Sequence, residues 1–226
     1  MAALFCALAI ASTFIMHIKV MFLTFDAKDA IITIAGLLFG PLYSIGISLV
    51  VSVIEFISIG DSGFWGFLMD FLSTAIFSTT CALIYKYQKS LKGAIIGLLA
   101  SVFSMTAFML LFNLFIVPLY TPNYTTAAVA KMVPTLFLPF NLTKAALNAA
   151  IVLVLYKPAS KAMKVARVLP SNNLSQNAES GLSPDQKRKN NLAFSLVITG
   201  VGIVIAALCF VVFVVFLDGN ITFWQK

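Results

Sequence analysis

The sequence predicts an all-α polytopic membrane protein, with six helices in one bundle and a seventh appended through a polar linker. Three observations predict it. Of 226 residues, 61% are hydrophobic and 10% charged, with a mean hydropathy of +1.01, whereas a soluble domain carries about a quarter charged residues. Apolar runs recur along the chain at about 20 residues, the length that crosses a hydrocarbon core of about 30 Å. The short alternating segments of a membrane barrel are missing, and lipid offers the backbone no hydrogen-bond partners, which leaves helices as the spanning structure.

The first helix is read over Ala2–Met21. Its start, "MAALFCALAIAS", lacks the basic region of a cleaved leader and is taken as a span. "FLTFDAKDA" (22–30) interrupts as an outer loop, because Asp26, Lys28 and Asp29 stand too close together for lipid. The second helix, "AIITIAGLLFG", is short for a full span and is expected to be tilted or recessed. It ends at Gly40-Pro41, where glycine permits a sharp turn and proline starts the next helix. The third helix covers Pro41–Ser58 and, after "IGDSGFWG", the fourth covers Phe67–Tyr85. A basic turn, "YKYQKSLKG", leads to the fifth, Ala94–Val117. "PLYTPNYTT" is a loop, and the sixth helix runs from Pro134 to Tyr156. This organises the chain as a six-helix membrane domain over 1–167, a polar cytoplasmic linker over 168–191, and a seventh helix (193–217) with a short tail in 192–226.

Basic residues in short loops mark the cytoplasmic side of a membrane. Lys86, Lys89 and Lys92, then Lys157, Lys161, Lys164 and Arg167, then Lys187, Arg188 and Lys189 share one face if the N-terminus is cytoplasmic. Asp26, Lys28, Asp29, Glu55, Asp61 and Lys131 fall on the other. The net charge of +7 is thus spread over helix ends and forms no nucleic-acid footprint. Cys6, Cys81 and Cys209 lie in apolar segments without metal or disulfide spacing and read as small core residues.

The chemistry lies in polar residues at membrane depth. Lys144 stands about ten residues beyond Pro134, or about 15 Å into the bilayer. A lysine there costs about 2.5–3.5 kcal/mol on insertion scales and needs a cavity or a partner. Asn141, Lys144 and Asn148 are spaced by three and four, so they share one helical face. Asn113, five residues before Pro118, would complete a set of amide and ammonium donors if it faced Lys144. Such a set suits a planar heteroaromatic bearing carbonyl and imide groups. The alternative is that Asn113 and Lys144 only bond neighbouring helices, and no carboxylate is in evidence to neutralise Lys144.

Asp70, one turn inside helix four, is expected either to accept hydrogen bonds from ligand hydroxyls or to pair with Lys144. Glu55 reads as a solvated interface residue and His17 as a satisfied core or interface histidine. Phe25, Trp65 and Tyr120 border outer loops, as an aromatic belt or as walls that stack on a ligand. Ala3, Ala7 and Ala11 thin one face of helix one, for a docking partner or for internal packing. No HExxH, phosphate loop, nucleophile elbow or acidic metal cluster occurs. The chain is therefore read as no enzyme, without metal or cofactor, so any uphill transport draws on a partner or an ion.

These residues resemble the substrate-binding S components of energy-coupling factor (ECF) vitamin importers, over about residues 1–167. The resemblance is carried by the Ala-rich first helix, "FDAKDAIITIAGLLFGPLYSIGISL", "GFWGFLMDFLS", "NLFIVPLY" and "LPFNLTKAALN". Within that family the chain looks most like the riboflavin-specific (RibU-type) group, which pairs an Asn before "PLY" with a Lys in "PFNxxK". The resemblance implies a six-helix S-component bundle in a prokaryotic cell membrane, with Asn113 and Lys144 on the isoalloxazine ring. It also implies that the loop from Phe25 to Asp29 closes over the vitamin. Riboflavin is then a transported substrate, and the partners are a transmembrane coupling protein and two ATPase subunits, docked through Ala3, Ala7 and Ala11. The seventh helix departs from the six-helix pattern. An S component for folate, pantothenate or thiamine remains open, as does an ion-coupled carrier using Lys144 and Asp70.

Overall fold

The computed structural model describes residues 1–16, 18–20, 23–59, 63–89, 91–120, 125–165, 200 and 222–223. The expected linker (168–191), the seventh helix (193–217), His17, Asp61, Arg167 and Cys209 lie outside the described residues.

Helix α1 covers Ala2–Ile15 and stops well before Met21. The chain beyond it forms a β-hairpin, β1 (Ile18–Val20) with β2 (Leu23–Phe25), in which Ile18 faces Phe25, Lys19 faces Thr24 and Val20 faces Leu23. Both strands are rich in β-branched and aromatic residues, which favour a pleated surface. A short strand β3 (Thr222–Phe223) lies antiparallel on the other side of β1, so the order is β2-β1-β3.

Helix α2 (Lys28–Phe39) ends at Gly40, whose φ of 107° lies in the region open to glycine. Pro41 opens α3 (Pro41–Ile59), its fixed φ suited to a first helical turn. Then follow α4 (Gly63–Tyr87) and α5 (Leu91–Tyr120), each longer at both ends than its apolar core suggests. Among the described residues four helical stretches are long and apolar enough to cross a membrane: Pro41–Ile59, Gly63–Tyr87, Lys92–Leu119 and Thr126–Tyr156. With only 12 residues, α2 spans about 18 Å. It is the recessed helix that the sequence suggested, packed against α1, α3, α4 and α7 and buried over most of its length. A Cβ on its Gly36 would come within 3.0 Å of Ser44 Cβ and 3.1 Å of Ala82 Cβ, so small side chains of α3 and α4 pack directly on the α2 backbone there. Ile32, Ile47, Val51, Phe77, Met105 and Val152 fill the core around it.

The sixth expected helix does not start at Pro134. Thr125 caps α6 (Thr126–Met132) by accepting from the Ala128 amide, a π-turn follows over Val133–Phe137, and α7 runs over Leu138–Val165. Proline has no amide to donate and crowds the carbonyl four residues back. Pro134 and Pro139 together loosen the ladder, and the Leu138 amide reaches back five residues to the Val133 carbonyl. The helix expected to end at Tyr156 continues through the basic segment to Val165.

Candidate functional site

The segment 23–29 enters the bundle instead of crossing its surface. Two turns of geometry explain how. The end of β2 delivers Asp26, and the first turn of α2 sends Lys28 and Asp29 to different sides. Asp26, Lys28 and Asp29 are each 1% exposed, and Lys28 is the largest of the fully buried side chains among the described residues. The expectation of an outer loop is thus corrected: the three charges avoid lipid by entering the bundle. The N-terminus of the short helix α2 is buried inside the bundle, so its charges must find partners there.

On one side, Lys28 Nζ donates to Glu55 Oε2 on α3 and to both Asp70 oxygens on α4, at 2.7 Å each for the latter. Ser52, one turn before Glu55, donates to Asp70 Oδ2 at 2.7 Å. Thr13 on α1 donates to Glu55 Oε1 at 2.6 Å. Glu55 is therefore a buried ion partner, 8% exposed, and not the solvated interface residue that its place near a helix end suggested.

On the other side, Lys144 Nζ on α7 donates to Asp26 Oδ2 at 3.0 Å and to the Thr24 carbonyl at 3.2 Å, with Asp29 Oδ2 at 4.0 Å. Thr74 on α4 donates to Asp29 Oδ1 at 2.7 Å. Asn148, one turn after Lys144, donates to the Asp26 carbonyl at 3.1 Å and accepts from the Ala30 amide at 3.0 Å. The sequence argument that no carboxylate neutralises Lys144 is overturned: Asp26 does, with Asp29 beside it. Asp70 pairs with Lys28 and not with Lys144.

Two lysines and four carboxylates thus share one network, buried except at Asp70, which is half-buried. Taking ions out of water costs several kcal/mol each, and their attraction offsets this only when the remaining lone pairs also find hydrogen bonds. The hydroxyls of Thr13, Ser52 and Thr74 serve that need.

The other expected site residues are placed as follows. Asn113 on α5 is fully buried, its Nδ2 donating to the Met109 carbonyl at 2.6 Å, while its Oδ1 has no hydrogen-bond partner among the described residues. Asn141 bonds back to the Phe137 carbonyl at 2.8 Å. Phe25 is buried against Phe140, with Met16, Leu23 and Leu147 around them. Trp65 is half-buried near the start of α4, with Phe64 edge-on beside it. Tyr120 ends α5, and its side chain lies outside what is described. Ala3, Ala7 and Ala11 are exposed along α1, with Leu4 and Leu8 exposed beside them.

Chemically, the arrangement offers hydrogen-bond donors and acceptors to a guest. Lys144 has three N–H donors, two of them engaged by Asp26 and Thr24. Asn113 keeps one N–H and a bare carbonyl oxygen, an amide edge that matches an acceptor and a donor side by side on a guest. Among the described residues no His, Cys, Asp and Glu cluster is arranged to hold a metal ion.

The family profile described as "ECF transporter, substrate-specific component" matches residues 1–156. The chain belongs to the ECF transporter substrate-specific components. An S component is a transport subunit, and this one is a multi-pass membrane protein of all-α class, to which the hairpin adds a small sheet. The riboflavin transporter RibU of Staphylococcus aureus (strain TCH60) is 29% identical over 149 residues, 63% of this chain and 78% of that one. The riboflavin transporter FmnP of Bacillus subtilis (strain 168) is 30% identical over 131 residues, 54% of this chain and 69% of that one. A solved structure of the S component of a bacterial ECF transporter superposes with a TM-score of 0.60 at 27% identity, covering 72% of this chain and 95% of that chain. The whole charge network falls inside the stretch matched by the S-component profile.

Proposed function

We propose that this S component captures riboflavin at the outer face of a prokaryotic cell membrane. It then delivers the vitamin by docking on an ECF transmembrane coupling protein driven by two ATPase subunits. The similarity to two riboflavin transporters carries the choice of substrate. The geometry supports it: the open amide edge of Asn113 matches the carbonyl and imide N–H of the flavin's uracil-like edge, and the remaining N–H of Lys144 suits a second carbonyl. The basic turns facing the cytoplasm support a cytoplasmic N-terminus. The exposed Ala3, Ala7 and Ala11 then lie on a helix free to meet the coupling protein, with the 1–167 unit binding substrate and the linker and seventh helix appended to it.

Titrating detergent-purified protein with riboflavin, read by quenching of flavin fluorescence, tests this. A hydrogen bond to a neutral group contributes about 0.5–1.5 kcal/mol and one to a charge about 1.5–3. Asn113→Ala should therefore weaken binding by roughly tenfold, and Lys144→Ala by more, since it also unpairs Asp26. A wild-type protein that ignores riboflavin but binds folate, pantothenate or thiamine would reassign the substrate.

A further inference from the structure

The four carboxylates of the network are not equivalent. Three of them have both a lysine and a hydroxyl. Glu55 has Lys28 and Thr13. Asp70 has Lys28 and Ser52. Asp29 has Lys144 within 4.0 Å and Thr74 at 2.7 Å. Asp26 has Lys144 on Oδ2, but its Oδ1 is buried and has no hydrogen-bond partner among the described residues. A bare carboxylate oxygen is the costliest polar group to leave unmatched in a low-dielectric interior. The fold supplies a hydroxyl three times out of four, and the exception sits on the lysine of the candidate substrate site.

We propose that the substrate supplies the fourth hydroxyl: Asp26 Oδ1 accepts from the polyhydroxylated chain of the ligand, on the proposed reading the ribityl tail of riboflavin. The assignment deepens the proposed function and rests on it. It moves the tail-binding role away from Asp70, whose two oxygens are already held by Lys28 and Ser52. It also divides recognition between elements. Asn113 on α5 and Lys144 on α7 read the ring, and Asp26, between the hairpin and α2, reads the tail.

Riboflavin and lumiflavin, which carries a methyl group in place of the ribityl chain, separate the two roles. A charge-assisted hydrogen bond of this kind corresponds to about a tenfold to hundredfold preference, so the wild-type protein should bind riboflavin that much more tightly than lumiflavin. Asp26→Asn should bring the ratio of the two dissociation constants to within about threefold. Asp29→Asn, at a carboxylate with its own threonine, should keep the wild-type ratio whatever it does to both affinities. If Asp26 serves only to neutralise Lys144, Asp26→Asn weakens both flavins alike and the ratio stands, which overturns the assignment. Should that variant not fold, the wild-type comparison still decides, because equal binding of the two flavins refutes a tail contact outright. Binding of neither flavin by the wild-type protein would overturn the riboflavin reading and this assignment together, an outcome distinct from equal binding of both.

Discussion

Replacing Lys28 by methionine keeps the bulk of the side chain and removes its charge. In the wild-type protein this ammonium is 1% exposed and serves three carboxylate oxygens, one on Glu55 and two on Asp70. Without it, two carboxylates on adjacent helices face each other with no counter-charge. Removing one partner of a buried ion pair costs about 3–5 kcal/mol. The Asp70 side chain is 26% exposed and keeps some solvent screening, which places the cost near the lower end, at about 3 kcal/mol. For a chain of this size each kcal/mol moves the thermal midpoint by about 2–4 °C, so Lys28→Met should melt roughly 6–12 °C below wild type in detergent, followed by tryptophan fluorescence. The triple variant Lys28→Met/Glu55→Gln/Asp70→Asn removes every charge of that half and should recover most of the loss. A single variant that melts within about 2 °C of wild type would show that Lys28 does not neutralise these carboxylates, and the account of the network would fail.

Other perturbations address the same architecture. Thr13→Val takes the hydroxyl from Glu55 Oε1 and should cost about 1–3 kcal/mol, seen as a lower midpoint in the same thermal assay. Gly36→Val places side-chain atoms against Ser44 and Ala82 at contacts of 3.0–3.1 Å, and overpacking of this kind costs about 1–3 kcal/mol. Urea titration at constant slope would register it as a lower midpoint. Ala7→Phe falls on the exposed face of α1 and should leave melting and flavin binding as they are while abolishing riboflavin uptake in cells. Uptake at the wild-type rate would remove that face from docking.

The long apolar helices were legible because the hydrophobic effect writes them as uninterrupted runs, and their ends fall at Gly40-Pro41 and at the basic turn after Tyr85 as expected. The end of α1 was not, since "FIMHIKVMFLTF" is apolar on a helical and on an alternating period alike, and only pairing across the hairpin decides between them. Pro134 reads as the start of a helix, but it falls in a π-turn over Val133–Phe137 with helix on both sides. The charge network was hidden for a different reason. Asp26 and Lys144 meet across 118 residues of chain, and Lys28 and Glu55 across 27, distances that no local spacing encodes. One signal did point to it. A twelve-residue helix covers about 18 Å of a core of about 30 Å, and its charged N-terminus is the end buried inside the bundle, where the charges need ions of opposite sign.

Stability alone does not explain why that interior holds ions. Buried ion pairs can often be replaced by well-packed uncharged residues at no loss, which is what the triple variant is expected to show. What the triple variant cannot replace is position. Three of the six charges lie within four consecutive residues, and they pull in two directions: Lys28 towards α3 and α4, Asp26 and Asp29 towards α7. The segment is held between the two sides, and the seat of Asp26 beside Lys144 depends on the pull of Lys28 from the other. With Lys28, Glu55 and Asp70 all neutral, the fold keeps its packing but the segment loses one of its two anchors. The triple variant should therefore melt close to wild type and still bind riboflavin several-fold more weakly, with the loss concentrated in a faster dissociation rate. Wild-type affinity in a protein of wild-type stability would mean that Lys144 alone holds Asp26 in place, and that the Lys28 half of the network has no part in shaping the site.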